Sequence, residues 1–297
     1  MSLVTLKEIL KGSVEKKYAV GAFDTLNPLM TEAILRAAEE EGKPVILMVI
    51  DHFFDQRSDH TVYYRNMINM IEHMKTPVCL MLDHGESYED CMRAIHLGFT
   101  AVMIDGSMLP YEDNVKLVQA VVRSAHACGV SVEAEIGHVG GHETAADPEG
   151  SEVDVSGYTE PEMAERFAAE TGVDALAIAF GTVHGKYKGK VNLDYARLAD
   201  IRSRVDIPLV MHGGSGIPED GFRGAVEHGI NKINICTQML VSASDAMNSM
   251  MTSSGGKAGF IDLYEEAHKA VREVVKTHMG IFGTQPLGYD RPPVYYG

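Results

Sequence analysis

The sequence predicts an α/β fold, a single-domain (β/α)8 TIM barrel. Three observations carry that expectation. Eight short runs rich in Val, Ile, Leu and Ala alternate with amphipathic stretches along the chain. Runs of this kind are buried on both faces, as parallel strands are. The 297 residues fit one large barrel or two average domains. No Gly-x-Gly-x-x-Gly follows the first run, which weakens the doubly wound, dinucleotide-binding competitor.

The elements follow in order. The first strand is expected at Tyr18–Phe23. Asn27-Pro28 then provides a cap and a first-turn proline for a helix that Gly42 ends. Strands are expected at Val45–Ile50, Val78–Leu82, Ala101–Ile104 and Ser131–Ala134, then at Ala175–Ala179, Leu209–Met211 and Lys232–Ile235. Helices are expected between them over Asp59–Lys75, Ser87–Leu97, Tyr111–Cys128, Glu160–Thr171, Leu193–Arg204 and Pro218–His228. Two more follow, near Gln238–Met251 and Ile261–His278. The segment Gly137–Thr159 breaks the alternation. It is long, rich in Gly, Asp and Glu, and reads as a lid or binding loop. The barrel is assigned to residues 1–283 and a C-terminal tail to 284–297. The tail's prolines and tyrosines suit either packing on a neighbouring subunit or a mobile end.

Bulk properties exclude several functions. A formal charge of −16 opposes nucleic acid and anionic membranes, so any phosphate seat must be built locally. The longest apolar runs fall far short of a membrane span. Residues 1–11 do not read as a secretory signal. The four cysteines, Cys79, Cys91, Cys128 and Cys236, form no Cys-x-x-Cys pair and read as reduced thiols of a cytoplasmic protein.

Chemistry concentrates at strand ends. Asp83 and His84 follow strand three, Asp105 strand four, Glu135 strand five, His184 strand six and His212 strand seven, while Asn234 lies on strand eight. A barrel gathers its catalytic groups at that end. His84, His184 and His212 are each followed by glycine. Three imidazoles from separate strand ends make an open site, leaving a zinc-type ion its full charge and a vacant position. The remaining histidines are not favoured as ligands. Most lie in helical stretches, and His138 and His142 lie in the long loop without distinctive spacing. Asp105 suits a group that holds a ligand histidine by a hydrogen bond. Gly213-Gly214-Ser215-Gly216 and Asn234-Ile235-Cys236-Thr237 follow strands seven and eight, where barrels often seat a phosphate. Lys186, Lys188 and Lys190 either add local positive charge or form a solvated loop. A metal beside an anion seat points to carbonyl chemistry on a phosphorylated substrate.

The chain resembles the class II, metal-dependent ketose-bisphosphate aldolases, which include fructose- and tagatose-bisphosphate aldolases. The resemblance runs from about Leu6 to Gly283 and is most specific at 82–85, 102–110, 132–143, 181–185, 212–215 and 234–237. It implies a lyase that reversibly cleaves a ketose 1,6-bisphosphate, or a related ketose 1-phosphate, to dihydroxyacetone phosphate and an aldehyde. His84, His184 and His212 match the Zn2+ ligands, and another divalent metal would fit them too. Asp83 matches the acid/base at the aldehyde oxygen. Glu143 matches the mobile-loop glutamate that moves the carbon-bound proton. Glu135 matches a carboxylate near the metal; with Asp105 it supplies either a second metal position or support for a ligand. Gly185, Gly213, Ser215, Asn234 and Thr237 match the phosphate and triose seat, with Gly214 in the same cluster, and family members often bind a monovalent cation there. A homodimer or homotetramer is implied.

Three positions depart from the fructose-bisphosphate pattern. Asp24 stands where Asn is usual, Ile50 where Ser is usual, and Cys236 where Asp is usual. The first two line the aldehyde half of the substrate. Competing readings are a metal-dependent barrel hydrolase, a lysine Schiff-base aldolase and an inactive sugar-phosphate-binding barrel. The first often uses a His-x-His pair, which is absent, the second has no need of three histidines, and the third would not fill every matched catalytic position.

Overall fold

Eight parallel strands close into a barrel in sequence order, β1 to β8. They are β1 Val20–Asp24, β2 Val45–Ile50, β3 Val78–Gly85, β4 Ala101–Ile104, β5 Ser131–Ile136, β6 Ala175–Ile178, β7 Leu209–Met211 and β8 Ile230–Ile235. The structure, a computed structural model, describes residues 2–50, 60–141 and 150–287, with 60 and 61 as backbone only. The eight expected strands are all present. Their ends shift by a few residues, most at β3, which continues through His84 to Gly85.

The two-residue period of the strands builds two cores. Val20, Ala22, Ile46, Met48, Cys79, Met81, Ala101, Met103, Ala175, Ala177 and Val210 point inward and fill the barrel. The intervening residues, among them Phe23, Leu47, Leu80, Val102, Val132, Leu176 and Ile233, pack outward against the helices. The helix Pro28–Glu41 starts as expected. The Asn27 side chain accepts the Met30 N–H at 3.0 Å, and Gly42 closes the helix in the left-handed conformation.

The floor of the barrel was not anticipated. Two four-residue helices, Leu6–Ile9 and Ser13–Lys16, turn beneath it, and Leu6, Ile9 and Leu10 join the inner core. Helices this short show no period in the sequence, so only the structure reveals them. The chain also returns to the floor at its other end. Ala19 N–H donates to Phe282 O, Thr284 Oγ1 donates to Ala19 O at 2.8 Å, and Leu287 packs on the inner core. Packing on the chain's own barrel therefore continues past residue 283. Residues 288–297 of the expected tail lie outside the described residues.

The last helix, Phe260–Ile281, pairs with Thr237–Ser253 and lies along Pro28–Glu41. His278 is buried on it, with its ring edge against Phe222 and Phe282 and its Nδ1 donating to Val274 O at 2.7 Å. Burial lowers the His278 pKa from the usual 6.5, although the Val274 carbonyl pulls it upward. The unfolded chain takes up a proton as pH falls below 6.5, while the buried ring resists until lower pH. This contribution to stability is full above 6.5 and drains away as pH falls toward the folded value. His278→Phe should remove that part of the acid sensitivity. Urea midpoints, compared between neutral pH and about pH 5, should fall less for the variant than for the parent.

Candidate functional site

The polar residues expected at the strand ends converge at the C-terminal mouth of the barrel. Alternation alone would aim Asp83 inward and His84 outward. A register shift corrects this: Leu82 pairs with Val102, but Gly85 pairs with Ile104, so β3 carries one extra residue. His84 absorbs the bulge at φ 49°, in the left-handed region that costs a side chain strain. Two consecutive residues thereby reach one site. A Cβ on Gly85 would meet the Met103 carbonyl at 2.7 Å, so the strand needs glycine as it rejoins the sheet.

His84, His184 and His212 meet here. One ring nitrogen from each lies within 4.8 Å of the others. The ring centroids are 5.0 Å apart for His84–His184, 4.7 Å for His84–His212 and 5.6 Å for His184–His212. Carboxylates fix which nitrogens are presented. His84 Nδ1 donates to Asp105 Oδ2 at 2.8 Å, and His212 Nε2 donates to Glu133 Oε1 at 2.9 Å. His84 Nε2 and His212 Nδ1 then face each other at 3.0 Å. In neutral rings with these tautomers both atoms carry lone pairs that a bound cation could share, and the Asn234 amide nitrogen also lies 3.2 Å from His212 Nδ1. The donor set of three imidazoles fits a zinc-type ion, and the carboxylates behind it fit the usual support of such ligands.

Asp105 lies behind His84 as its hydrogen-bond partner. Burial pushes its carboxyl up, but the hydrogen bonds from His84 and the Ser107 N–H outweigh burial and hold it well below the usual range. Glu135 also lies at the site, with a carboxylate oxygen in the same group as His84 and Asp105. Burial, reinforced by the Asp105 charge, pushes Glu135 up to about 8, against the pull of His84 and the Val139 N–H. Asp83 is fully buried and accepts the Asn234 amide at 3.3 Å.

Two charged residues in this cluster escaped the sequence reading. Glu133 and Lys232 are both fully buried, and the Lys232 ammonium lies 3.0 Å from Glu133 Oε2. Breaking such a pair by removing one partner typically costs about 3–5 kcal/mol. The available signal was the period of two: Glu133 precedes Glu135 on β5, and Lys232 precedes Asn234 on β8, on the same inward face.

The expected anion seat divides in two. Gly185, Ser215 and Thr237 line a cavity of about 390 Å³, joined by Tyr187, Gly216 and Gln238. The helix Thr237–Ser253 begins at this cavity, and the positive end of its dipole faces it. Ser215 Oγ already accepts the Cys236 and Gln238 N–H groups, at 3.3 and 3.1 Å. Gly213 and Gly214 act behind the seat. A Cβ on Gly213, which has φ 66°, would meet Val183 O at 2.3 Å, and one on Gly214 would meet Asn234 O at 2.6 Å. Tyr187 Oη, another residue not anticipated, donates to Gly213 O at 2.7 Å and so joins the loops after β6 and β7. Asn234 belongs to the inner cluster rather than to this cavity, with its amide against Asp83.

The long loop is described on both sides of 142–149. Gly141 bridges to His184 and Ser151 to Tyr187, so its two arms line the segment that carries one histidine. Glu143 lies outside the described residues. Lys186 and Lys188 are exposed, and Lys188 pairs with Glu152 at 3.3 Å. The four cysteines are free thiols. No helix among the described residues is long and apolar enough to cross a membrane.

Fold and side chains together describe a (β/α)8 barrel with a cluster that could hold a metal ion at its C-terminal mouth. The sequence pattern of class II fructose-bisphosphate aldolase matches residues 4–286, and the chain belongs to that family of lyases. It is 39% identical over 290 residues to the fructose-bisphosphate aldolase of Geobacillus stearothermophilus, covering 96% of this chain and 98% of that one. It is also 39% identical over 286 residues to the probable fructose-bisphosphate aldolase of Bacillus subtilis, covering 96% and 99%. The crystal structure of the YdjI aldolase from Escherichia coli K12 superposes with a TM-score of 0.82 at 30% identity, over 95% of this chain and 98% of that chain.

The Asp105–His84 bond generates a prediction. Asp105→Ala should leave the barrel folded and weaken divalent metal binding about 10- to 100-fold. Competition against a chromophoric chelator measures this, and parent-like affinity would remove Asp105 from the site.

Proposed function

We propose that this chain cleaves a ketose phosphate reversibly to dihydroxyacetone phosphate and an aldehyde, with Zn2+ held by His84 Nε2, His212 Nδ1 and His184. The observation that carries the reading is the pair of imidazole nitrogens turned toward each other, each fixed by a carboxylate on its far side. A bound divalent ion would offset the negative charge that develops on the substrate's C2 oxygen as the C3–C4 bond breaks. Asp83, adjacent in sequence to a ligand, takes the C4 hydroxyl proton in cleavage and returns it in condensation. The triose phosphate end is assigned to the helix N-terminus beside Gly185, Ser215 and Thr237, with Gly213 and Gly214 holding the loop close. Asn234 steadies Asp83 and reaches the triose half. Glu143 is assigned the carbon-bound proton of dihydroxyacetone phosphate by resemblance. A monovalent cation beside the phosphate, a homodimer or homotetramer, and a cytoplasmic setting complete the reading.

The aldehyde half departs from the fructose-bisphosphate pattern. Asp24 is fully buried on β1, one inward step beyond Ala22, the partner of Asn234. Ile50 ends β2 directly opposite Asp83. A carboxylate repels a distal phosphate dianion, and isoleucine donates no hydrogen bond to it. The exposed Lys188 is engaged by Glu152. A ketose 1-phosphate, or a bisphosphate of different configuration, should therefore exceed fructose 1,6-bisphosphate in kcat/KM. Steady-state kinetics across these substrates decide the matter, and a clear preference for fructose 1,6-bisphosphate would overturn the specificity but not the chemistry.

The chemistry has its own test. Asp83→Ala should retain metal and lose cleavage by about 100-fold or more, within the range for a positioned acid/base. Metal analysis and cleavage assays on one preparation check both halves. An Asp83→Ala protein that cleaves at the parent rate would exclude Asp83 from proton transfer.

A further inference from the structure

The buried ammonium of Lys232 touches both halves of the site. It donates to Glu133 Oε1 at 3.1 Å and lies 3.0 Å from Oε2. It also donates to Asn234 Oδ1 at 2.8 Å. Glu133 holds His212, a proposed ligand, and Asn234 donates its amide to Asp83, the proposed acid/base. We propose that Lys232 is a positioning residue that sets the ligand His212 and the acid/base Asp83 from a single point.

Donors and acceptors fix the orientation of both arms. An ammonium has donors only. The Asn234 atom that faces it must therefore be Oδ1, and Nδ2 is left to face Asp83. With no lysine, either end of that amide could face Asp83, and the oxygen end would repel it. On the other arm, Glu133 has no exposure and is gripped through both oxygens, so its carboxylate stays aimed at His212 Nε2. That contact keeps Nδ1 as the nitrogen presented beside His84. A bulge supports the placement. Leu209 pairs with Ile230 but Val210 pairs with Lys232, so β8 carries one extra residue, Asn231, whose side chain accepts the Leu209 N–H. The bulge leaves Ile230 in the outer core while Lys232 points inward.

The inference rests on the metal-site reading above. Lys232→Met removes both donors, and the double variant Glu133→Gln, Lys232→Met removes the charge imbalance as well. The double variant should fold, because neutral replacement of a buried pair is commonly tolerated. It should lose kcat by about 10- to 100-fold, with KM for the ketose phosphate changed far less. The visible bands of its Co(II)-substituted form should shift from the parent's. A purely structural lysine would give the opposite result: parent-like kcat and Co(II) bands once charge balance is restored, and that result overturns the proposal. A measurement on the parent needs no variant. The 15N spectrum of metal-loaded, histidine-labelled protein should show His212 protonated at Nε2, and protonation at Nδ1 overturns the proposal. A parent that binds no divalent metal and cleaves no ketose phosphate defeats the underlying reading instead. A parent that does both, beside indifferent Lys232 variants, defeats this inference alone.

Discussion

Charges buried inside a barrel must be matched, and that constraint organises this molecule. The lower inward layers are apolar, from Val20 and Ala22 round to Val210. Above them the same inward positions carry Asp83, Glu133, Glu135, His212, Lys232 and Asn234, all nearly or wholly removed from solvent. An isolated charge there would cost several kcal/mol, roughly the margin that keeps a domain folded. They persist because each finds partners: Lys232 with Glu133 and Asn234, Glu133 with His212, Asn234 with Asp83. The same pairing that makes burial tolerable also orients the imidazoles. A network that is stable only when complete is rigid when complete, and a pre-set ligand geometry is what a metal site requires.

Much of this was legible in the sequence, because a parallel barrel writes itself as short apolar strands with reactive residues at one end. His184 and His212 stood out as polar residues following apolar runs, and Gly85, Gly185 and Gly213 beside the histidines marked where the backbone comes close. Elsewhere the structure adds what the sequence does not show. His84 has the wrong parity for the interior, and only the bulge and its left-handed backbone bring it in. Glu133 and Lys232 sit within strands, where a charge reads as an interruption unless its partner on another strand is known. The partners are 99 residues apart. The floor helices at Leu6–Ile9 and Ser13–Lys16 are too short to show a period. Asn234 matched the phosphate and triose seat by resemblance, and the structure adds that its amide lies against Asp83.

The two ends of the proposed substrate meet different physics. At the proposed triose phosphate end, the positive end of a helix dipole and close-packed glycines would suit an anion without any side-chain charge. This suits a protein whose formal charge is −16. At the aldehyde end, Asp24 and Ile50 replace neutral donors of the fructose-bisphosphate pattern. Family membership therefore bears on the chemistry more directly than on the acceptor.

The central claim is that three imidazoles, held by carboxylates behind them, form one metal site. X-ray absorption at the zinc edge, on protein loaded with one equivalent of zinc, tests it most directly. The account predicts a shell of nitrogen and oxygen at about 2.0–2.1 Å with the outer scattering of three imidazole rings. A shell with a single imidazole, or with sulfur at about 2.3 Å, would contradict it.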